Sequence, residues 1–300
     1  MGTWNIRSLH DKEEELIDEF EAKGLKILAI TETKKKGSGR IIMKNGHSLI
    51  YSGVQEDKRA AAGVGCIIHE SLNSKIQRWE NISERLLLVE IRDTSNEYIS
   101  IIIVYGPNED DKAEAKDKFW EDLSLTTEEA KGSIYIAGDF NSRVGQRDNI
   151  YNKSMGKYGE KIRNSNGIRM LDFCQLHDLI VTNTHYQHKD IHRYTREQHT
   201  RGEKSIIDYI LTPRNQRRRV IDVKVNRGAE IYSDHYLLVA KLRETLEQNT
   251  KLLKKRRVEF TTIKYYKLKY KGIADRYKRI IEQKFGEKMN KIRKAKLDQS

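Results

Sequence analysis

The chain has 300 residues, a length that allows one large domain or two smaller ones. Its longest apolar run lies near residues 101–105, far short of the roughly 20 residues that cross a bilayer. No basic-then-apolar leader opens the sequence. Cys66 and Cys174 lie inside apolar stretches without a C-x-x-C spacing, which predicts buried thiols and argues against a disulfide framework or a zinc site. We expect an intracellular protein without a membrane span.

The positive charge is concentrated at the C-terminal end. The whole chain has 57 basic and 44 acidic residues, for a net charge of +13. Residues 251–300 contain 18 basic and 5 acidic residues, which accounts for the entire excess. We therefore expect a neutral domain, residues 1–245, followed by a cationic tail, residues 246–300. A neutral body still binds a polyanion if its acids surround a cation, so average charge does not identify the substrate.

The first part of the chain predicts one helix followed by strands. Leu9, Leu16, Ile17 and Phe20 fall on one helical face, and Gly24 is a typical helix end. Strands are expected where β-branched residues run between polar or glycine residues. These runs lie at 25–30, 64–68, 86–91 and 98–105.

The rest of the neutral body continues with alternating helices and strands. Residues 110–131 have helical composition, with Phe119, Trp120 and Leu123 on the inner face. Short strands with interspersed helices favour two mixed β-sheets packed face to face and flanked by helices, a four-layer α/β sandwich. The remaining predicted elements are a strand at 134–137, a polar loop at 142–166, a helix at 168–177, and strands at 179–182, 206–211, 220–225 and 236–242.

The tail has the pattern of an amphipathic helix with a basic outer face, because its apolar residues recur at steps of four and three. Such a helix is a candidate surface for a protein partner or for nucleic acid. The basic run Lys254–Arg257 is read either as a nuclear-import signal, which predicts a nuclear protein, or as a solvated face. The apolar positions are Tyr266, Tyr270, Ile273, Tyr277 and Ile280.

Two short strings place ionisable groups at the polar ends of apolar runs. They are Gly-Asp-Phe-Asn at 138–141 and Ser-Asp-His at 233–235. Asp139 and Asn141 are two residues apart and so lie on the same side of an extended segment, which suits a shared ligand or a local Asx-turn. Carboxylates, amides and an imidazole gathered at strand ends are suited to binding a divalent cation and a phosphate.

Asp208 interrupts the otherwise apolar strand 206–211. A buried carboxylate needs a compensating partner. His235 is the candidate, since an aspartate commonly fixes the tautomer and raises the basicity of an imidazole. A satisfied core pair without a chemical role is the alternative interpretation.

Three further polar residues, Asn5, Glu32 and Tyr105, close predicted strands. Taken singly, Asn5 is typical of a turn, Glu32 of a solvated strand end, and Tyr105 of an aromatic at a rim. Their functional interpretation depends on their occurring together and in this order.

Six strings in this order resemble those of one family. The ordered set is similar to the endonuclease/exonuclease/phosphatase superfamily and, within it, to the endonuclease domain of LINE-type retrotransposons. The resemblance implies a DNase I-like four-layer sandwich and Mg²⁺-dependent phosphodiester hydrolysis, with Mn²⁺ as a substitute. The strings are Thr-Trp-Asn-Ile-Arg-Ser-Leu at 3–9, Thr-Glu-Thr at 31–33, Val-Tyr-Gly-Pro-Asn at 104–108, Gly-Asp-Phe-Asn at 138–141, Ile-Asp-Tyr-Ile-Leu at 207–211 and Ser-Asp-His at 233–235.

The resemblance also implies the metal ligands. Glu32 corresponds to the main ligand, with Asn5 beside it and Asp234 near the same cation. Mg²⁺ is bound by few protein carboxylates and keeps several waters, which suits so small a set.

The hydrolytic roles follow from the same resemblance. Asp139 corresponds to the residue that orients or deprotonates the attacking water, and Asn141 to one that holds a phosphate oxygen. His235, aligned by Asp208, corresponds to the group that contacts the phosphate and stabilises its developing charge. Tyr105 corresponds to a contact with the phosphate or the leaving oxygen.

One departure concerns the first strand. Only four residues precede Asn5, whereas the family has a longer strand leading into Trp-Asn. A strand of about three residues makes few ladder hydrogen bonds, so we expect Asn5 to be weakly held.

Two hypotheses for function stay open. The first is a Mg²⁺-dependent DNA endonuclease, with abasic-site cleavage, RNA cleavage and lipid phosphodiester cleavage as rivals on the same fold. The second is a domesticated, non-catalytic protein whose tail binds a partner or nucleic acid. The chemically intact set of expected site residues favours the first hypothesis.

Overall fold

Two β-sheets stacked face to face form the centre of the neutral body. The computed structural model describes residues 1–198 and 200–243, together with Asp275, Lys278 and Glu282. Along the chain the elements are β1 (Gly2–Asn5), α1 (Glu13–Ala22), β2 (Ile27–Thr31), β3 (Ser38–Ile42), β4 (Ser48–Ser52), β5 (Val64–Ile68), β6 (Ile76–Ser83), β7 (Leu86–Arg92), β8 (Tyr98–Tyr105), α2 (Ala113–Glu129), β9 (Ser133–Asp139), α3 (Ser165–Leu176), β10 (Leu179–Val181), β11 (Arg196–Gln198), β12 (Glu203–Ser205), β13 (Asp208–Pro213), β14 (Val220–Asn226) and β15 (Leu237–Leu242).

Both large sheets contain parallel and antiparallel strands. The first has seven strands in the order β14-β15-β1-β2-β5-β4-β3, with β1 and β2 parallel. The second has six strands in the order β10-β13-β9-β8-β7-β6, with β8 and β9 parallel. Because parallel strands end on the same side, each sheet brings two carboxyl ends to one edge, and these ends carry the candidate site. Strands β11 and β12 form a separate hairpin.

Alternation along β8 shows how the layers are filled. Ile101 and Ile103 face the other sheet, where they pack in the core between the two sheets. Ile102 and Val104 face the opposite way and pack with Phe119 of α2 and other residues of α2 and α3. Since both faces of the strand are buried, its sequence is continuously apolar rather than alternating.

The helix α1 covers the outer face of the seven-stranded sheet. Its buried residues Leu16, Ile17 and Phe20 pack with Trp4 of β1 and Ile30 of β2. The layers are therefore helix, sheet, sheet and helices, which confirms the predicted four-layer α/β sandwich of the DNase I-like type.

The predicted elements and the observed ones agree best where both faces of a strand are buried. The strands predicted at 64–68 and 98–105 have those bounds in the structure. Five strands were missed, namely β3, β4, β6, β11 and β12. The outermost strands β3 and β6 are largely exposed and carry Gly, Arg, Gln, Glu and Asn, so they lack a continuous apolar run.

The short first strand is firmly held, contrary to expectation. β1 lies in the middle of its sheet, antiparallel to β15 and parallel to β2, and all four of its residues are buried. Asn5 pairs with Thr31 at the end of the ladder and its side chain is fully buried. The expectation of a weakly held Asn5 was wrong, because a central strand gains partners on both sides whatever its length.

Gly138 allows β8 and β9 to approach closely just before both strands reach the site. A Cβ at this position would lie 1.8 Å from the carbonyl oxygen of Val104, and the φ of Gly138 is +157°. The close approach places Tyr105 directly opposite Asp139 in the parallel ladder. A glycine is therefore required here by space.

The predicted tail, residues 246–300, lies outside the described residues except at three positions. Asp275, Lys278 and Glu282 are helical and exposed. The predicted boundary after residue 245 and the amphipathic tail helix stay predictions. Among the helices that the structure describes, none combines the length and the apolar character that a membrane span requires.

Candidate active site

The eight predicted site residues lie in or directly behind one cleft, formed where strand ends of the two sheets meet. Asn5 ends β1 and Glu32 follows β2 in one sheet. Tyr105 ends β8 and Asp139 ends β9 in the other, and Asp208, which begins β13, pairs with Asp139. The remaining three, Asn141, Asp234 and His235, lie on loops that line the cleft.

Asn5 joins the two sheets through its side-chain amide. Its Nδ2 donates hydrogen bonds to Glu32 Oε1 and to Asp139 Oδ2, both at 2.9 Å. Its Oδ1 accepts the backbone N–H of Arg7 at 3.0 Å. In this arrangement Asn5 offers N–H groups, not an oxygen, to the two carboxylates, and it holds them close to one another.

His235 lies between two buried aspartates. Its Nδ1 is 2.9 Å from Asp208 Oδ2 and its Nε2 is 3.8 Å from Asp139 Oδ2. Burial lowers the pKa of His235, but the negative charges of Asp208 and Asp139 outweigh burial and raise its pKa overall. Burial and the charge of Asp208 raise the pKa of Asp139, against the opposing charge of His235. The imidazole is thus favoured as a cation.

Tyr105 and Asn141 complete the wall around Asp139. The Tyr105 hydroxyl donates to Glu32 Oε1 at 3.2 Å, and burial followed by the charges of Glu32 and Asp139 raises its pKa. The Asn141 backbone N–H donates to Asp139 Oδ1 at 2.9 Å, which is the predicted Asx-turn. The Asn141 amide also donates to the carbonyl of Gly106 at 3.0 Å. The turn and a phosphate contact are compatible, since the residue also lines the cleft.

Asp234 is held by two arginines that the sequence interpretation did not assign. Arg196 Nε lies 2.9 Å from Asp234 Oδ2, and Arg7 Nη1 lies 3.5 Å from Oδ1. Burial raises the pKa of Asp234, but His235 and Arg196 lower it more, so the carboxylate is stabilised. Its role as a metal ligand stays a prediction, and its arginine partners distinguish it from Glu32.

Little in the sequence indicates that Arg7 and Arg196 belong to the site. Arg7 follows Asn5 by two residues, within the first resemblance string. Arg196 begins the short, polar strand β11, whose composition indicates a loop. Asn108, which ends the string at 104–108, lines the cleft together with both arginines. For Arg7 and Asn108 the available clue was their place inside a resemblance string, at 3–9 and at 104–108.

The loops around the cleft have an unusual backbone. Arg7, Glu32, Asn141 and Tyr232 all have positive φ values, between 48° and 58°. A residue other than glycine in this region costs of order 1 kcal/mol or more and persists where the surroundings impose it. At Glu32 the turn directly follows β2, so it directs the chain at the point where the carboxylate meets Asn5 and Tyr105.

The donor set fits a hard divalent cation. The cleft has a volume of about 170 Å³ and is lined by the carboxylates of Glu32, Asp139 and Asp234. Oxygen donors and room for water match the preferences of Mg²⁺ and Mn²⁺. Asp139, Asp208 and His235 also have ligand atoms within 4.8 Å of one another. We favour the three carboxylates that line the cleft over a site that includes His235, because both ring nitrogens of His235 face aspartates.

The chain is similar to known proteins over this whole region. Craniofacial development protein 2 of Bos taurus is 29% identical over 250 residues, covering 82% of this chain and 41% of that protein. The chain thus spans about two fifths of the length of this curated relative.

Solved structures share the fold. The catalytic domain of Xenopus laevis APE2 matches with a TM-score of 0.62 at 17% identity, over 80% of this chain and 90% of that one. The endonuclease domain of TRAS1, a telomere-specific non-LTR retrotransposon, matches with a TM-score of 0.57 at 16% identity, over 81% and 97%. At these identities the likeness shows the fold alone. The sequence profile of the Endonuclease/Exonuclease/phosphatase family matches residues 2–235, and the chain belongs to this family.

Proposed function

We propose that this protein is a divalent-metal-dependent phosphodiester hydrolase that cuts DNA internally, a nuclease of the type found in LINE-type retrotransposons. One observation carries the proposal. A carboxylate pair, Glu32 and Asp139, is bridged by Asn5 and faces an imidazole that Asp208 orients, all in one cleft. Hydrolysis of a phosphodiester needs an aligned water and positive or hydrogen-bonding groups where oxygen charge develops, and this cleft offers both.

The residues divide into two functional groups. Asp139, buried and fixed by the Asn5 amide and the Asn141 N–H, holds the attacking water and accepts its proton as the water oxygen bonds to phosphorus. The bond from phosphorus to the leaving oxygen breaks, and that oxygen keeps the electron pair and takes a proton from solvent. His235, favoured as a cation by Asp208, stabilises the charge that builds on the phosphate oxygens. Asn141 lines the cleft and contributes a hydrogen bond to the phosphate. Tyr105, whose hydroxyl lies 3.2 Å from Glu32, contributes one to the phosphate or the leaving oxygen.

Glu32 is the residue best placed to hold the cation, with Asp139 and Asp234 around the same space. Asn5 acts by positioning, since its N–H groups fix both carboxylates. When bound, Mg²⁺ or Mn²⁺ supplies positive charge to the phosphate and so stabilises the transition state.

DNA is the substrate we favour over RNA and lipid phosphodiesters. Support comes from the structural similarity to a retrotransposon endonuclease domain and to a protein whose title describes a product DNA hairpin, the 3′ phosphatase NExo from Neisseria. A nuclear location fits such a substrate and the basic run Lys254–Arg257.

The test is nicking of supercoiled plasmid in Mg²⁺, in Mn²⁺ and in EDTA. We expect nicking that needs the cation and that Glu32→Ala or His235→Ala reduces at least about a hundredfold. His188→Ala is the matched control, because His188 also pairs with an aspartate, Asp222 at 2.7 Å, but outside the cleft lining. If the folded wild-type protein cleaves none of the DNA, RNA and lipid substrates, the result would favour the domesticated, non-catalytic alternative.

A further inference from the structure

Tyr232 occupies a position that stability does not explain. The residue is 80% exposed, more than any other large apolar residue that the structure describes. Its φ is +52°, in the left-handed region that residues other than glycine rarely adopt. The ring therefore buries little surface, while the backbone is strained. A residue with both properties is expected to act outside the fold itself.

The loop that carries Tyr232 is fixed. The preceding Ile231 is buried in the core beneath α1. The Tyr232 N–H donates to Glu230 Oε1 at 2.9 Å, and Lys12 Nζ donates both to the Tyr232 carbonyl at 3.4 Å and to the Ile6 carbonyl at 3.0 Å. The ring is thus attached to a backbone that is joined to the loop after β1.

Arg7 lies on that neighbouring loop and has matching properties. Its φ is +58°, its side chain is 56% exposed, and its Nη1 lies 3.5 Å from Asp234. Ser233, next to Tyr232, donates from Oγ to the carbonyl of Asn5 at 2.7 Å, which ties the two loops together. Arg7 and Tyr232, here called the rim pair, are each two residues from a candidate site residue, Asn5 and Asp234 respectively.

We propose that the rim pair binds the nucleotide next to the scissile phosphate, with Arg7 on its phosphate and the Tyr232 ring stacked on its unpaired base. This rests on the proposed function and narrows it to a nucleic-acid strand with an unstacked base beside the cut. Aromatic rings and cations are the two groups that bind single strands, because each base offers a π-face and each linkage a negative charge. Lipid head groups and sugar phosphates lack that face.

The distances are compatible. Two extended residues span at most about 7 Å, so the Tyr232 backbone lies that close to Asp234 at the cleft. Successive phosphates of one strand are 3.4 Å apart along a stacked duplex, and farther apart once the bases are unstacked. The Tyr232 backbone thus lies within about one to two nucleotides of a phosphate in the cleft.

The test is binding of full-length protein, in EDTA, to a mixed-sequence single-stranded DNA and to an abasic strand of equal length and charge. We expect Tyr232→Ala to weaken binding to the base-containing strand roughly tenfold and to leave the abasic strand unchanged. Tyr232→Phe should bind as wild type. Arg7→Ala should weaken binding to both strands and lower the salt slope by about one, whereas the loss from Tyr232→Ala should be the same at every salt concentration.

Tyr232→Asn controls for folding, because asparagine tolerates the left-handed backbone. It should unfold at the wild-type temperature or above and still lose the tenfold affinity. Unchanged affinity of Tyr232→Ala for the base-containing strand, or an equal loss on both strands, overturns the proposal. Nicking of plasmid by the wild type is measured separately. If the protein binds as expected but does not nick, the rim pair is supported and the proposed hydrolysis is contradicted. If it nicks but Tyr232→Ala binds as wild type, the proposed hydrolysis is supported and the rim pair is contradicted.

Discussion

Replacing Asn5 with aspartate is the sharpest test of how the site is held together. Asn5 is fully buried and donates to the carboxylates of Glu32 and Asp139, both at 2.9 Å. An aspartate in its place puts a third acid between two others. To stay neutral at pH 7 it must raise its pKa from about 4 to above 7, which costs about 4 kcal/mol. The protonated acid donates one hydrogen bond, so one of the two carboxylates also loses its partner.

We therefore expect Asn5→Asp to lower the free energy of unfolding by about 4 kcal/mol in EDTA, or Tm by roughly 8–16 °C for a domain of this size. A divalent cation in the cleft would compensate the added charge. Mg²⁺ or Mn²⁺ should therefore restore at least half of the loss and raise the Tm of Asn5→Asp more than that of the wild type. Thermal unfolding with and without the cation measures both effects.

The matched control is Asn166→Asp. Asn166 is also buried, and its amide donates to two acceptors, but these are the carbonyls of Pro107 and Asn141 rather than carboxylates. It should lose stability without any cation-dependent recovery beyond that of the wild type. If Asn5→Asp lost less than about 3 °C, or responded to the cation no more than Asn166→Asp, the bridged carboxylate pair would be refuted.

Three further predictions concern the imidazole, acid stability and the strand crossing. Asp208→Asn keeps the shape of the partner of His235 but removes its charge. We expect kcat for nicking to fall about 10²- to 10⁴-fold with a small change in Tm. A kcat within threefold of wild type would argue against a role for the Asp208–His235 pair. Burial and Arg217 lower the pKa of His185 to about 4. The unfolded chain therefore binds this proton at a higher pH than the folded protein does, and stability is lost as the pH falls from about 6.5 to 4. In urea unfolding across this window, His185→Gln should lose about 1–2 kcal/mol less stability than wild type, after allowing for partial exposure. Gly138→Ala should destabilise the fold by about 3 kcal/mol in the same assay, because its Cβ would collide with a backbone carbonyl, and an unchanged midpoint would contradict this close approach.

The sequence predicted best those parts of the fold that are buried on both sides. In β8 the alternate residues Ile101 and Ile102 enter different cores, so the apolar run is continuous and its bounds are clear. The outer strand β6 is half exposed, and its polar residues hide the strand pattern. How the strands are ordered depends on contacts between distant segments, such as β1 between β2 and β15, which local periodicity does not contain.

For the site, the residue types and their order along the chain could be predicted from the sequence. The hydrogen-bond and ion-pair partners of these residues could not. The resemblance pointed to Asn5 as a metal ligand, but the structure turns its N–H groups toward Glu32 and Asp139. Nothing in the sequence alone indicates that Arg196, from a polar hairpin, reaches Asp234. Such contacts are set by the meeting of two sheets, so they become visible once the whole chain is folded.

The energetics of the cleft bear on the choice between an active enzyme and a domesticated binding protein. Asp208 is fully buried, and its Oδ1 has no hydrogen-bond partner among the described residues. Glu32 and Tyr232 have strained backbones on the loops around the cleft. Each feature lowers the stability of the fold, and a protein that only binds through its tail gains nothing from them. Costs of this kind cluster at functional sites, which is why we place cation-dependent nicking first and lost activity second.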